Sequence, residues 1–275
     1  MTDDKKAGSA KDSHYARLRR AHRERKQVTE PNAPDLPENQ VRLYGLHTVR
    51  AALDNPSRKI LRMMVTRNAA QRLELGDLEL LPFPAELVEP KAIDALVGSD
   101  AVHQGVVVEA YRRKAKALSA LGEANLVLVL DQVTDPHNVG AIMRSAVAFD
   151  VGALVTTTRH SPTESGVLAK SASGALEHID HIEVRNLAAA LEDLHAAGFQ
   201  TVGLDSEGPA PLEETLSGER IALVLGAEGK GLRQKTRETV TALARLDMPG
   251  AIRSLNVSNA AAVSLYVARR ALQSI

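Results

Sequence analysis

Three short stretches of this 275-residue chain combine side chains that could act on a polar ligand. The first runs from Asp131 to Ala146 and places Asn138 and then Arg144 in an otherwise small, apolar segment. A positive charge in such a setting needs an anion or a carboxylate as its partner. The stretch therefore predicts either an anion-binding arginine or a structural ion pair of Arg144 with Asp131 or Asp135. The spacing alone leaves both interpretations open.

The second stretch, Gly226 to Leu232, contains three glycines together with Glu228 and Lys230. Glycines allow the backbone to approach a ligand closely. No Ser or Thr follows Lys230, so the stretch is not a Walker phosphate loop, and its glycine spacing is not that of a dinucleotide loop. It is either a ligand-binding loop of another kind or a tight turn.

The third stretch runs from Leu246 to Ala260 and holds Ser254, Asn256 and Ser258 just before an apolar helical pattern. Serine and asparagine at the start of a helix often serve only as caps. The same side chains could equally bind a ligand, and the stretch by itself favours neither.

The elements around these stretches indicate a mostly parallel sheet with helices on both faces, because nearly continuous apolar strands alternate with helices. Ligands of such sheets bind beyond the carboxyl ends of the strands, where all three stretches lie. We expect Asn138 to cap the helix that it begins. The predicted strands are Leu126–Leu130, Ala153–Thr157, His181–Val184, Gln200–Leu204, Ile221–Leu225 and Ala242–Leu246, and the predicted helices are Asn138–Phe149, Gly166–Leu176, Leu187–Ala197 and Val257–Gln273.

The front half predicts a small α/β domain over residues 41–111 and a linker over 112–123, before a larger domain over 124–275. Its predicted elements are a helix at Gly45–Leu53 and strands at Ile60–Thr66 and Gly105–Ala110. Three prolines predict an extended or loop conformation for Leu80–Pro90.

Residues 1–40 predict a basic, disordered tail that ends in a proline-rich linker. Six basic residues and one acid lie between His14 and Lys26, although the formal net charge of the chain is zero. Such an arm could bind RNA phosphates through Arg17, Arg19 and Arg20. The alternative is a solvated tail without a partner.

Composition excludes several function classes. The chain has no cysteine, which excludes disulfides, thiolate nucleophiles and cysteine-ligated metals. His47, His103 and His137 do not have the spacing of a ligand set, so we expect no metal. No apolar run predicts a secretory signal or a membrane span, and we expect a cytoplasmic protein.

Taken in order, the three stretches read DPxNxGxxxRxA, GxEGxG and SLNVSxA, and residues 126–272 resemble the SpoU branch of the SPOUT RNA methyltransferases. The resemblance implies a parallel-sheet α/β domain with a C-terminal trefoil knot, a homodimer formed through the knotted domain, and S-adenosylmethionine as methyl donor. The implied catalytic residues are Asn138, Arg144, Glu228, Ser254 and Asn256, and the implied cofactor-binding residues are Leu225, Gly226, Leu246, Met248 and Leu255.

The segments YGLH and AVHQG resemble the L30e-like domain that bacterial members carry in front, which implies RNA contacts by His47, His103 and Gln104. They are most similar to enzymes that methylate the ribose 2′-hydroxyl of a guanosine in 23S ribosomal RNA. A transfer-RNA ribose methyltransferase and a non-catalytic RNA-binding assembly factor are the alternatives. One departure is the start of the third stretch, where Ile-Pro-Met is usual and Leu246-Asp247-Met248 stands here.

The implied reaction is attack of a ribose oxygen on the methyl group of a sulfonium. The family's proposed base is the residue at Arg144, yet removing a proton from a guanidinium at pH 7 costs about 7 kcal/mol. Arg144 is therefore either a base after a large shift of its pKa, or a clamp on the phosphate beside the target ribose while that phosphate or water takes the proton. The sequence leaves both roles open.

Overall fold

The computed structural model describes residues 35–273, which contain two sheets. The first sheet has the order β1-β4-β2-β3, with β4 antiparallel to β1 and β2 and with β3 parallel to β2. Its helices cover a small aliphatic core. The elements are β1 Gln40–Tyr44, α1 Leu46–Asp54, β2 Ile60–Val65, α2 Arg67–Arg72, β3 Ala85–Leu87, α3 Pro90–Val97 and β4 Val106–Tyr111, with a short 3-10 helix at Leu78–Leu80.

The second sheet is entirely parallel and has the order β7-β6-β5-β10-β8-β11-β9, which confirms the predicted fold class. The three chemistry-bearing stretches follow β5, β10 and β11. The elements are β5 Leu126–Asp131, α4 Pro136–Ala148, β6 Ala153–Thr157, α5 Gly166–Ala172, β7 Asp180–Val184, α6 Leu187–Ala196, β8 Gln200–Leu204, β9 Ala210–Pro211, α7 Leu212–Thr215, β10 Ile221–Gly226, α8 Gln234–Thr239, β11 Ala242–Arg245 and α9 Val257–Gln273, with 3-10 helices at Leu118–Leu121 and Ala175–Glu177.

Strands β5 and β10 form the centre of the second sheet and are buried almost throughout, as expected of strands covered on both faces. Helices α4, α5 and α9 cover one face of the sheet, where Leu128 and Leu223 join the larger apolar cluster. Helices α6 and α8 lie over the other face, where Val129 packs in a cluster with Leu191. The sheet is therefore rigid, and its carboxyl edge holds the loops in fixed positions.

Two predicted boundaries were wrong. Helix α4 begins at Pro136 and not at Asn138, because Asp135 is the N-cap and accepts a hydrogen bond of 2.9 Å from the backbone N–H of His137. Helix α5 ends at Ala172, before the predicted Leu176, because Ser173 adopts a left-handed conformation with φ of 52°. Proline at the first helical position is a common start signal, and here it explains the early beginning of α4.

The sequence interpretation also missed four helices, α2, α3, α7 and α8, which have four to eight residues each. Helices this short carry little periodic signal. In the proline-rich stretch after Leu80, the structure contains the short strand β3, consistent with the predicted extended conformation. The candidate RNA-binding residues Arg17, Arg19 and Arg20 lie outside the described residues, and the trefoil knot stays a prediction.

A buried ion cluster joins the two sheets and their helices. The Arg58 side chain is 0 % exposed; its Nη2 lies 2.5 Å from Glu177 Oε1 and its Nη1 2.7 Å from Glu164 Oε1. Asn55 donates a further hydrogen bond of 2.6 Å to Glu177 Oε2, and Thr48 donates one of 3.1 Å to the carbonyl of Ala169. These contacts fix the first sheet against α5 and the segment that follows it.

Across residues 35–273, no helix is long and apolar enough to cross a membrane. The same described range contains no group of three or more His, Asp or Glu side chains placed to hold a metal ion.

Candidate active site

The site lies where the loops after β5, β10 and β11 meet at the carboxyl edge of the second sheet. Strands β5 and β10 are neighbours in parallel register, and β8 separates β10 from β11. Because all four strands run the same way, their carboxyl ends share one edge. The fold therefore brings together three separate stretches, of which the first and the third meet through residues 118 positions apart in the chain.

One side chain from each stretch meets in a polar cluster, which we call the carboxylate–amide cluster and which consists of Asn138, Glu228 and Asn256. The Glu228 Oε1 atom accepts hydrogen bonds from Asn256 Nδ2 at 2.6 Å and from Asn138 Nδ2 at 3.2 Å. The backbone N–H of Val257 donates to the same oxygen at 3.2 Å, and Asn256 Nδ2 also lies 3.1 Å from Asn138 Oδ1. Three donors on one oxygen leave the other, Oε2, able to accept a hydrogen bond from a ligand.

Asn256 is held in place from its other side. Its Oδ1 accepts hydrogen bonds from the backbone N–H of Ser258 at 2.8 Å and from the Ser258 hydroxyl at 2.5 Å. This arrangement turns the Nδ2 group of Asn256 toward Glu228. Capping and ligand binding, the two interpretations of the third stretch, are therefore combined in one side chain, because the capping contacts orient the amide that enters the cluster.

The glycine-rich loop after β10 folds back on itself. The backbone N–H of Gly231 donates to the carbonyl of Ala227 at 2.8 Å, and both Gly229 and Gly231 have positive φ. A Cβ atom on Gly226 would lie 2.1 Å from the carbonyl carbon of Gly231. Glycine is thus required at 226 by close approach and at 229 and 231 by backbone conformation.

An ion pair that sequence reasoning did not identify anchors this loop. Asp131, at the end of β5, is 0 % exposed; its carboxylate accepts from the Arg233 backbone N–H at 3.0 Å and from Arg233 Nε at 2.6 Å. The sequence signal was an aspartate directly after a buried apolar strand, which must find a partner. Asp131 is therefore engaged by Arg233 and not by Arg144.

Arg144 does not join the carboxylate–amide cluster within one chain. It lies six residues after Asn138 on α4, which is about 240° around the helix and about 9 Å along it. Its exposed side chain lines a cleft of 570 Å³ between the two sheets, together with His47 and Arg50 of α1. Ser254 is exposed on the third stretch and likewise makes no side-chain hydrogen bond to any residue between 35 and 273.

A second hollow, of 390 Å³, lies at the ends of β8 and β11, on the same edge of the sheet. Leu246 and Met248, both predicted to bind the cofactor, line it, and Ser206 after β8 is a lining residue that the sequence interpretation missed. Arg245 Nε binds Asp247 Oδ1 at 2.8 Å, and Arg245 Nη1 donates to the carbonyl of Gly208 at 3.0 Å. This pair closes the rim of the hollow, so the unusual Asp247 has a structural partner.

The other three predicted cofactor-binding residues do not line this hollow. Leu225 is buried in β10 and Gly226 ends that strand, whereas Leu255 is 43 % exposed on the third stretch. These positions border the carboxyl edge without lining the hollow.

The three described residues predicted to contact RNA differ in their surroundings. His103 is 9 % exposed and uses both ring nitrogens, with Nε2 3.0 Å from Asp94 and Nδ1 accepting from the backbone N–H of Gly105. Gln104 Oε1 accepts from Lys170 Nζ at 2.7 Å and from the Leu46 backbone N–H at 3.1 Å. His47 and Gln104 are both exposed, and of the three only His47 lines the cleft between the sheets. His103 and Gln104 thus hold the structure in the described chain, and their contact with RNA stays a prediction.

Comparison with known proteins agrees with this architecture. The SpoU rRNA Methylase family matches residues 125–266, and the family described as RNA 2′-O ribose methyltransferase substrate binding matches residues 42–114. The 23S rRNA (guanosine-2′-O-)-methyltransferase RlmB of Pseudomonas putida is 36 % identical over 247 residues, which cover 84 % of this chain and 97 % of that protein. The enzyme of the same name from Xanthomonas campestris is 42 % identical over 239 residues, covering 83 % and 95 %.

Solved structures share the fold. The SpoU methyltransferase AviRb from Streptomyces viridochromogenes, in complex with AdoMet, superposes with a TM-score of 0.72 at 22 % identity, covering 84 % of this chain and 90 % of that one. An AdoMet-bound rRNA methyltransferase from Sinorhizobium meliloti gives a TM-score of 0.70 at 23 % identity, with 97 % of each chain covered. With three motifs in one cluster and relatives of this identity over most of its length, the chain belongs to the SpoU rRNA methylase family.

Proposed function

We propose that this protein transfers a methyl group from S-adenosylmethionine to the ribose 2′-hydroxyl of a guanosine in 23S ribosomal RNA. The observation that carries the proposal is the meeting of Asn138, Glu228 and Asn256 at the carboxyl edge of the sheet, one from each family motif. The relatives that are 36 % and 42 % identical over more than four fifths of this chain are 23S rRNA guanosine-2′-O-methyltransferases by name.

The carboxylate–amide cluster suits a sugar hydroxyl. Glu228 Oε1 is saturated by three N–H donors, so Oε2 is the oxygen that accepts the ribose O–H. Fixing that hydroxyl in line with the methyl donor supplies proximity and orientation, which can lower a barrier by several kcal/mol. Asn138 and Asn256 hold the carboxylate in position. Ser254 adds an exposed hydroxyl on the third stretch.

We assign Arg144 to a backbone phosphate of the substrate RNA and not to proton removal. Its guanidinium is exposed, and it makes no ion pair with any residue of the described range 35–273. A guanidinium is suited to bidentate contacts with phosphate oxygens and is a poor base. The proton of the attacking hydroxyl then passes to the phosphate beside the target ribose or to water.

The residues at the edge fit S-adenosylmethionine. The 390 Å³ hollow is lined by Leu246 and Met248, and on the same edge of the sheet the missing side chain of Gly226 lets the backbone of Gly231 come close. Leu225 and Leu255 complete the proposed set of cofactor-binding residues. S-adenosylmethionine bound there would supply a methyl group on a sulfonium. The residues of this chain would orient the ribose toward that methyl group.

We propose that residues 41–111 are an L30e-like substrate-binding domain, 112–123 a linker and 124–275 a methyltransferase domain with a C-terminal trefoil knot. The positions of the two family matches, on either side of the linker, support this division. We also propose a homodimer formed through the knotted domain, which the exposed apolar side chains of Val263 and Tyr266 on α9 support. An rRNA-modifying enzyme would act in the cytoplasm.

The test is methyl transfer in vitro with labelled S-adenosylmethionine and an unmodified 23S rRNA transcript, followed by digestion to nucleosides. We expect label in 2′-O-methylguanosine only. Once the nucleotide is mapped, an RNA fragment with a 2′-deoxy nucleotide at that position should accept no methyl group. Label in a base-methylated nucleoside would overturn the ribose assignment. Label in a transfer-RNA transcript but not in 23S rRNA would favour the transfer-RNA alternative, and no transfer to any RNA would favour a non-catalytic assembly factor.

A further inference from the structure

The cleft between the two sheets is distinct from the hollow at the carboxyl edge. Its walls come from α1 and α2 on one side and from α4 and the segment after α5 on the other. It has a volume of 570 Å³ and carries Arg50, Arg72 and Arg144 against one carboxylate, Asp54. Exposed His47 and His178 add two further side chains that can donate hydrogen bonds to an anion.

The three arginines of the cleft differ in whether another residue holds their guanidinium group. Arg50 donates to the carbonyl of Leu73 at the end of α2, which holds its guanidinium at the cleft wall. Arg72 and Arg144 are both exposed, and neither makes a salt bridge or a side-chain hydrogen bond with any residue between 35 and 273. Three guanidinium groups of which two are unpaired create a strongly positive concave surface, where the field is focused by low-dielectric walls.

The two walls are held at a fixed separation. The ion cluster of Arg58, Glu164 and Glu177 joins them in the interior, and Lys170 of α5 binds Gln104 of the first sheet. Burial lowers the pKa of Lys170. A ligand that contacts Arg72 on one wall and Arg144 on the other is therefore positioned relative to both parts of the molecule.

We infer that this cleft binds a backbone phosphate of the substrate RNA, with Arg50 and Arg72 as binding residues beside Arg144. Planar guanidinium groups suit the geometry and the charge of a phosphodiester. Binding at this position would place the RNA strand across the junction of the two sheets, in contact with the face of α4 opposite Asn138. The inference rests on the proposed function, because it names how the RNA of that reaction is held.

The chain offers a matched control on the same helix. Arg67 lies five residues before Arg72 on α2, is also exposed, and lines a different hollow with Glu74 and Leu87. Arg67→Gln and Arg72→Gln remove the same charge from the same helix, but only the second removes it from the cleft. Neither side chain makes a hydrogen bond in the described part of the chain, so both variants should fold.

The experiment measures binding of the full-length protein to an unmodified 23S rRNA transcript over a series of salt concentrations. Arg72→Gln should weaken binding about tenfold and lower the slope of log affinity against log salt by about 0.7–0.9. Arg67→Gln should change the slope by less than half of that amount and leave methyl transfer unchanged. Equal slopes for the two variants would overturn the inference.

Two further arms identify the source of the phosphate and separate this inference from the proposed function. Inorganic phosphate titrated calorimetrically into both variants tests for a free anion site. Loss of phosphate binding in Arg72→Gln with unchanged RNA affinity would overturn the RNA assignment. If the unaltered protein transfers methyl groups but the two variants have equal slopes, only the inference about the cleft is refuted. A slope lowered only in Arg72→Gln, without methyl transfer by the unaltered protein, supports the cleft and refutes the proposed reaction.

Discussion

Two polar clusters of this molecule contain the same kinds of side chain but differ in their exposure to solvent. The carboxylate–amide cluster is open to solvent at the edge of the parallel sheet, with Asn256 and Glu228 exposed. The ion cluster at the junction of the sheets is closed, since the Arg58 side chain is 0 % and the Glu177 side chain 2 % exposed. Both contain a glutamate that receives several hydrogen bonds, but only one of the two glutamates has an oxygen that a ligand can reach.

The comparison teaches that burial decides which kind of consequence a polar cluster has. A buried charge that loses its partner stays uncompensated in a low dielectric, so the loss appears as a loss of stability. An exposed charge that loses its partner is solvated by water, so the loss appears in the chemistry that it performs. Substitutions of one charged side chain in each cluster should therefore separate stability from activity.

The largest effect is expected at the junction. Arg58→Met removes the one positive charge that faces both Glu164 and Glu177 and should lower the free energy of unfolding by about 3–5 kcal/mol, measured by urea denaturation. Glu192→Gln, on an exposed position of α6, is the control and should change it by less than about 0.5 kcal/mol. The triple variant Arg58→Met/Glu164→Gln/Glu177→Gln should recover at least half of the loss, because it removes all three charges of the cluster. A single variant as stable as the unaltered protein would show that the cluster does not hold the two parts together.

The next largest effect is expected at the exposed carboxylate–amide cluster. It should appear in methyl transfer and not in the free energy of unfolding. Glu228→Gln keeps the size of the side chain but removes the negative charge, and should lower methyl transfer about 10²–10³-fold, the range typical of a lost transition-state contact. Its free energy of unfolding should stay within about 0.5 kcal/mol. Glu213→Gln, exposed on α7, is the matched control and should keep full activity. Activity near that of the control would remove Glu228 from the site.

Much of the second sheet was predictable from the sequence because its signal is physical and local. Buried strands such as Leu126–Asp131 are continuous apolar runs, and a polar residue at the end of one must lie at the edge or find a partner. The meeting of Asn138, Glu228 and Asn256 followed from that edge. The wrong cap for α4 was avoidable: Asp135 and Asn138 are both good caps, and Pro136 at the first helical position decides for Asp135.

The first sheet was less predictable because polar side chains there serve the junction. Gln104 looked like an RNA contact, yet it bonds Lys170, which lies 66 residues away in the chain. No local sequence pattern predicts a contact between residues so far apart in the chain. The cleft was missed for the same reason, since Arg72 and Arg144 become neighbours only when α2 and α4 pack on either side of the junction.

A smaller effect, on cofactor binding, is expected from a substitution in the glycine-rich loop. Gly226→Ala places a Cβ atom 2.1 Å from the backbone of Gly231, so the loop must move. We expect S-adenosylmethionine binding to weaken about tenfold, which corresponds to about 1.4 kcal/mol, measured calorimetrically. Gly250→Ala is the control, because its added Cβ would meet nothing within 4 Å and its φ is not positive. Equal affinity in the two variants would mean that the loop does not form the cofactor site.

The smallest expected effect concerns the pH dependence of stability and tests whether a half-buried histidine, with a side chain 24 % exposed, obeys the same rule. Burial lowers the pKa of His181, with an opposing contribution from Glu183 and a further lowering by Arg113, and its Nε2 lies 2.8 Å from the Thr156 hydroxyl. Its folded pKa is thus below the ordinary value of 6.5. Below pH 6.5 the unfolded chain binds a proton that the folded chain does not. The stabilising contribution of this group is therefore complete above pH 6.5 and is lost progressively as the pH falls from there toward the lowered folded pKa. Urea denaturation at pH 7.5 and at pH 5.5 should show a smaller loss of stability in His181→Gln than in the unaltered protein. His178→Gln, at an exposed position, should leave the loss unchanged. An identical loss in all three proteins would show that His181 protonates equally in the folded and unfolded states.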